Sequence, residues 1–263
     1  MPSEFIRRMR TGPVLNRRNC IGNRPLHSKY LLCVLCVLCG PFLFSGCAER
    51  DTGLKIRFLR SESYTFTSAE RRLIEDIAET TLPEIRRLLP GTPSLIELTV
   101  RPGTNVTPES GVGGDAMPPN GIMWTIDPSR PGGVTALTNT WLRALLFHEV
   151  HHLVRYTAED PGSIIERAVT EGMATAFERD FAGSTPPWLP YPENVAEWAT
   201  ELLALPAGGP EKEWLFRNAD GRRWIGYKVG TYWVDLAMKA SGRSAATLVA
   251  TPTREVLALA GQK

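Results

Sequence analysis

A chain of 263 residues is long enough for one large domain, or a domain with an attached subdomain, and its 43% hydrophobic and 22% charged residues are those of a globular protein rather than a disordered one. The formal charge of +2 conceals an asymmetry: seven of the 30 basic residues but one of the 28 acidic residues precede residue 48, which leaves 23 against 27 and a net charge of −4 for the rest. A body of that sign offers no electrostatic basis for nucleic-acid binding, so no nucleic-acid partner is expected.

The basic start (Arg7, Arg8, Arg10, Arg17, Arg18, Arg24, Lys29) runs into an apolar stretch from Tyr30 that ends in small residues before Cys47. This is the pattern of a signal peptide over residues 1–46, with an apolar core of about fifteen residues, short of the ~20 that a spanning helix needs. Its charged region is long, so Met9 is an alternative translation start, and an uncleaved anchor is the alternative to removal. The ending Leu43-Phe44-Ser45-Gly46-Cys47 resembles a bacterial lipobox, with Phe44 where Leu is usual. That resemblance implies cleavage before Cys47 and lipid on its sulfur and new amino terminus. Ala48 beside it implies sorting to the outer membrane, facing the periplasm. All five cysteines (Cys20, Cys33, Cys36, Cys39, Cys47) lie in this leader or at its end. Cys33, Cys36 and Cys39 have an iron–sulfur spacing, but only Leu and Val separate them, as in apolar filler. A mature chain without disulfides must rely on its core or on a metal.

Beyond a tether over 47–53, a single domain is expected over 54–263. Leu54–Arg60 alternates apolar and basic residues, the period of a half-buried strand. Thr67-Ser68-Ala69-Glu70 is a capping box that opens a helix, which Pro83 is expected to kink or break. Ser94–Arg101 reads as a second strand. Residues 102–120 hold four prolines and four glycines without periodicity and read as a long loop. Gly121–Asp127 reads as a third strand. From Thr138 to about Tyr156 the pattern is helical and apolar on most sides, which marks a buried helix. Ser163–Phe181 follows as a helix stopped by Gly183, then a Pro- and Trp-rich loop over 184–192, then helices near 193–205, 226–240, 244–250 and 253–260. Strands followed by helices give an α+β fold, a small mixed sheet of about three strands backing a mainly helical body.

Chemistry concentrates in the buried helix. After His27, every histidine of the chain falls within His148-Glu149-Val150-His151-His152. On a helix His148 and His152 lie about 40° apart around the axis and one turn along it, so both imidazoles can reach one ion. Glu149, about 100° round from His148, can lean over an open coordination position and take a proton from metal-bound water, whose pKa zinc lowers to about 7. Two ligands leave a third to find, and with histidine exhausted it must be a carboxylate. Glu171 sits mid-helix on a face with Ile164, Ala168 and Thr175, where an ionised group needs a cation. Glu166 and Glu178 compete for the place: Glu166 reads as a solvated partner of Arg155 or Arg167, and Glu178 shares the face but lies about ten Å further along. Gly172 is explicable if the zinc helix crosses closely there. His151 projects away from both partners and reads as packing around the site.

His148-Glu149-Val150-His151-His152 followed after eighteen residues by Glu171-Gly172-Met173-Ala174 resembles the gluzincin branch of the zincin metallopeptidases. More narrowly, it is similar to a bacterial family of predicted zinc-dependent proteases with H-E-x-H-H, E-G-x-A and a later Tyr-x-x-Gly, over roughly residues 121–235. The resemblance implies one Zn2+ per chain held by His148, His152 and Glu171, with Glu149 as general base. Thr175 stands where the thermolysin-like pattern has an Asp that orients a zinc histidine, and a hydroxyl does so weakly. Tyr227, which matches Tyr-x-x-Gly, is the candidate oxyanion donor; the alternative is a core tyrosine clustered with Trp224 and Trp233, and Tyr232 and Tyr156 are further candidates. Gly121–Asp127 resembles the zincin edge strand that pairs with an extended peptide, or is an ordinary sheet strand. The expectation is a zinc metallopeptidase acting on peptide or protein substrates, tethered to the membrane through Cys47. Its rivals are a zinc amidase on envelope material and an inactive or structural zinc-binding lipoprotein.

Overall fold

The computed structural model describes residues 53–206 and 210–262. The expected signal peptide, Cys47 and most of the tether lie outside them. Among the described residues no helix is long and apolar enough to cross a membrane.

Strand β1 (Leu54–Phe58) leads through helix α1 (Ser68–Leu88) to β2 (Ile96–Pro102), its parallel neighbour in register Leu54↔Ile96. Parallel neighbours need such a crossover because a tight turn cannot reverse the chain twice. The capping box that opens α1 is formed as the sequence implies: the Thr67 hydroxyl accepts from the Glu70 amide and the Glu70 carboxylate accepts from the Thr67 amide. Pro83 does not break this helix, which runs through it to Leu88. A helical proline costs about 3 kcal/mol, but here Ile74, Ala78, Leu82 and Ile85 on one face are all buried in the core, and the two isoleucines and the leucine each contribute about 1.5–3 kcal/mol.

The sheet has four strands, not about three, in the order β1-β2-β4-β3. The additional strand, β3 (Val112–Met117), lies inside the segment expected to be loop, and it pairs antiparallel with β4 (Gly121–Ile126). Val-Gly-Gly-Asp-Ala-Met has little strand propensity of its own, so its pairing with β4 is what defines it. Because β4 is bonded to β2 on one side and β3 on the other, it is an internal strand, and the edge on this side of the sheet is β3. Ile96, Leu98 and Val100 of β2 and Ile122, Trp124 and Ile126 of β4 point to one face and are buried. The α+β class expected from the order of elements holds.

Helix α2 (Gly133–Ala158) packs under that face, and Leu142, Leu146, Phe147, Val150 and Leu153 are buried in the core. The chain then folds back at once into α3 (Ile164–Phe177), which continues as a π-helical turn over Glu178–Ala182 and stops at Gly183 with φ 68°. Helices α4 (Val195–Leu203), α5 (Glu211–Leu215), α6 (Ile225–Ser241), α7 (Ala245–Leu248) and α8 (Thr253–Leu259) complete the body. Arg155, fully buried at the end of α2, ties down α7 and α8: its guanidinium donates to the carbonyls of Val249 at 3.1 Å and Thr251 at 2.5 Å and to the Thr253 hydroxyl, and it pairs with Glu159. A buried charge is tolerable only when so supplied with partners.

Helices α3 and α6 cross at a pair of glycines. A Cβ on Gly172 would overlap the backbone of Gly230, and one on Gly230 would overlap the carbonyl of Ala168. Gly172 therefore answers to α6, not to the histidine-bearing helix as its sequence context implied. Gly230 is the last residue of the Tyr-x-x-Gly match, so both glycines of the two sequence patterns serve one contact. The close approach brings Tyr227, one turn before Gly230, over Glu171, one residue before Gly172.

Candidate metal centre

The five-residue turn between α2 and α3 lays the two helices side by side in opposite directions. Residues later on α3 therefore face residues earlier on α2. His152 Nε2 lies 3.3 Å from Glu171 Oε2, and His148 Nε2 lies 3.2 Å from the same oxygen. His148 Nδ1 reaches past Glu171 to Glu178 Oε2 at 3.0 Å. The ligand atoms of His148, His152 and Glu171 all lie within 4.8 Å of one another.

Both separations to Glu171 suit ligands of a single ion. Charge-assisted N–H···O bonds run at about 2.7–2.9 Å, shorter than both contacts to Glu171. Two ligands on a tetrahedral zinc ion with bonds of about 2.0–2.1 Å stand roughly 3.3–3.4 Å apart, which matches them. Both ring nitrogens of His148 face carboxylate oxygens, Nδ1 toward Glu178 and Nε2 toward Glu171. With Nδ1 donating to Glu178, loss of the Nε2 proton would free a lone pair for an ion. Two imidazoles with one carboxylate are a donor set that zinc takes. The residues fit the metal.

The electrostatics point the same way. Burial works against charge on His148, but hydrogen bonds to Glu171 and Glu178 prevail and hold its pKa well above the ordinary imidazole value. Burial likewise opposes charge on Glu171, yet His152 and His148 hold its carboxyl well below the usual carboxylate range. A site this favourable to positive charge beside a carboxylate binds protons or a divalent ion in competition.

Glu149 is buried beside this cluster against β3, where a Cβ on Gly114 would stand 2.8 Å from its carboxyl carbon. Burial raises its pKa, with Glu171 and Asp115 adding to the rise against the pull of His148 and His152. A carboxylate moved toward neutrality is suited to proton transfer. Tyr227 stacks on the His148 ring at 6.4 Å with 22° between planes. Burial first, then the charges of the neighbouring Glu171 and Glu149, push its pKa well up. It is therefore a protonated phenol at the cluster, not a core tyrosine remote from it, although Trp224 does pack on its ring. Tyr156 stacks on His152 at 5.6 Å, whereas Tyr232 packs on Tyr191.

Other candidates separate from the cluster. Glu166 caps its own helix, accepting from the amides of Gly162 and Ser163 at 2.8 Å each. His151 is buried with Nε2 3.5 Å from the Ala245 carbonyl and its ring against Phe177, and burial first, with the neighbouring His152, keeps it neutral. Thr175 orients nothing: its buried hydroxyl has no partner among the described residues. The orienting role that the sequence left without an occupant falls to Glu178, a full two turns beyond Glu171. Its signal in the sequence is the spacing, seven residues, which returns to the same helix face; the orienting role is invisible there because it depends on the offset of His148 along α2, which only the helix pairing sets.

Removal of such an outer carboxylate typically weakens metal binding 10–100-fold. Glu178→Ala is expected to do so in competition with a chelator of known affinity, and Glu178→Gln, whose amide oxygen still accepts from Nδ1, to lose less. Parent-like affinity in the Ala variant would remove Glu178 from the site.

The cluster opens into a cleft of about 550 Å³ bounded by β3 on one side and by Trp188, Phe216, Trp224 and Tyr227 on the other. The Arg223 guanidinium, stacked over Trp224, pairs with Glu109 from the β2–β3 loop and joins the two sides. A small mixed sheet above two antiparallel helices that converge two histidines and a glutamate on one point is a metal-binding class of protein. Residues 72–258, from within α1 to within α8, match a family described as predicted Zn-dependent protease, and the chain belongs to that family. No curated protein matches it.

Proposed function

We propose that this protein is a zinc metallopeptidase that hydrolyses peptide bonds at the cluster under β3, anchored to the cell envelope through lipid on Cys47. The observation that carries the reading is the convergence of His148 Nε2, His152 Nε2 and Glu171 Oε2 with a fourth buried group, Glu149, beside them rather than among them. Structural zinc sites are closed by four protein ligands, and only three are present among the described residues, as in catalytic sites that keep an open position.

His148, His152 and Glu171 would hold the ion. Bound there, zinc supplies Lewis acidity, which lowers the pKa of water toward 7 and polarises a carbonyl. Glu149 takes the proton of the attacking water and passes it to the leaving amine. Tyr227, kept protonated by burial and by the neighbouring carboxylates, donates to the oxyanion. Glu178 keeps His148 in the tautomer and orientation that binding requires. An extended peptide lies along β3, the edge strand beside Glu149, rather than along β4, whose two sides are already paired.

Hydrolysis of an unbiased peptide mixture is expected to stop when the protein is stripped with a chelator and to return with zinc. Cleavage that survived complete metal removal would overturn the mechanism. In the envelope of a producing bacterium, Cys47→Ser is expected to move the protein from the membrane to the soluble fraction, and an unchanged membrane fraction would remove the lipid anchor.

A further inference from the structure

The cleft has two unlike walls. On the β3 side the chain presents Gly113, Gly114, Asp115 and Ala116. The cleft is also lined by Trp188, Phe216 and Trp224, each in ring contact with Tyr227 at 5.5, 6.1 and 5.5 Å. A segment of small residues and a cluster of large rings lining one cleft leave side-chain-sized room between them. The room begins at the metal cluster, since Trp188 is also 6.2 Å from the His148 ring.

The aromatic wall is built rather than incidental. Phe216 and Trp224 are brought together by a small hairpin: the Trp224 amide donates to the Phe216 carbonyl at 3.0 Å, Arg217 bridges Arg223, and Gly221 turns the tip at φ 90°. Trp224 itself has φ 60°, the one non-glycine residue in the left-handed region among those described. That conformation costs a bulky L-residue about 1–2 kcal/mol, and strain of this kind persists where surrounding structure over-determines it, often at ligand clamps. Phe216 is 43% exposed, one of four large apolar side chains so exposed among the described residues, and it lines the cleft. The one cation on this wall, Arg223, already has Glu109 as partner, so the wall has no free charge for a charged side chain among the described residues.

We infer that the space between the Gly113–Ala116 segment and the wall of Trp188, Phe216 and Trp224 is the specificity subsite, and that it selects substrates with a large, uncharged apolar side chain, aromatic or long aliphatic, on a residue flanking the scissile bond. The inference rests on the peptidase reading for its substrate class. Aromatic pairs add about 0.5–1.5 kcal/mol beyond the area they bury, which favours Phe, Tyr or Leu over Ala or Asp in such a slot.

Two measurements test it. In the first, kcat/KM is compared for quenched fluorescent peptides that differ only at the residues flanking the cleaved bond. The zinc-loaded parent is expected to prefer Phe or Leu there over Ala and Asp by roughly tenfold or more. Phe216→Ala is expected to lose most of that preference, chiefly through a higher KM for the Phe and Leu peptides, with a melting temperature near the parent's to show that the fold is kept. In the second, the same peptides are titrated into zinc-loaded Glu149→Gln and followed by tryptophan fluorescence, with and without Phe216→Ala. Tighter binding of the Phe and Leu peptides that Phe216→Ala abolishes supports the subsite even if the parent cleaves none of them, a result that would sink the peptidase reading alone. Cleavage or binding indifferent to the flanking residue, or a preference untouched by Phe216→Ala, overturns the subsite.

Discussion

Glu149→Gln is expected to retain one zinc per chain and to lose peptide hydrolysis by about 10²–10⁴-fold, the usual worth of a positioned general base. Gln has the shape of Glu and still packs against Gly114, so the cleft is preserved; what goes is the lone pair that takes the proton. Metal content separates this outcome from loss of a ligand, and a melting curve separates it from unfolding. In the metal-free protein burial holds the Glu149 pKa above its ordinary value. Its folded form therefore binds a proton more readily than the unfolded chain does, and stability falls as pH rises past the ordinary carboxylate value. The Gln variant escapes that cost, so its melting temperature in chelator at neutral pH should equal or exceed the parent's. Unchanged hydrolysis with zinc bound would show that Glu149 is not the base.

Gly230→Ala is expected to destabilise the fold by about 3 kcal/mol or more, at the upper end of overpacking effects, and so to lower the melting temperature by roughly 6–12 °C. The new methyl would meet the Ala168 carbonyl carbon at 2.6 Å, and this neighbour is helix backbone, not a side chain that can swing away. Only separation of α3 from α6 relieves the overlap, and that lifts Tyr227 from Glu171. Weaker zinc binding should therefore accompany the lower melting temperature. Gly183→Ala is the comparison: its φ is 68° but no atom lies within 4 Å of the added carbon, so it reports backbone strain without overlap, expected at about 1 kcal/mol. A Gly230→Ala protein melting within about 2 °C of the parent would show that the crossing is not as tight as described.

Much of the centre was legible because it is local. His148 and His152 face one way because a helix repeats every 3.6 residues, and the apolar residues around them predict burial without any knowledge of neighbours. The Thr67–Glu70 box marks a helix start by chemistry confined to four residues. Glu171 could be singled out because a buried carboxylate requires a cation and no histidine remained.

What sequence could not supply depended on partners distant in the chain. The β3 segment looks like loop because its Gly-Gly pair has no strand preference; it is a strand because β4 bonds to it, and its Gly114 is required because Glu149 presses on it from α2. Pro83 sits inside α1 because burial of one helix face outweighs the local penalty. Glu178 becomes the partner of His148 only when α3 lies antiparallel to α2, and Gly172 belongs to α6 only once the two helices cross. So the sequence by itself determined the α+β class, the buried helix, and which side chains can bind a metal, since periodicity and donor chemistry act over a few residues. The tertiary structure alone decided which strand borders the site, which carboxylate orients His148, and that Trp188, Phe216 and Trp224 stand together opposite β3. Those depend on contacts between segments far apart in the chain, and such contacts leave no periodic trace.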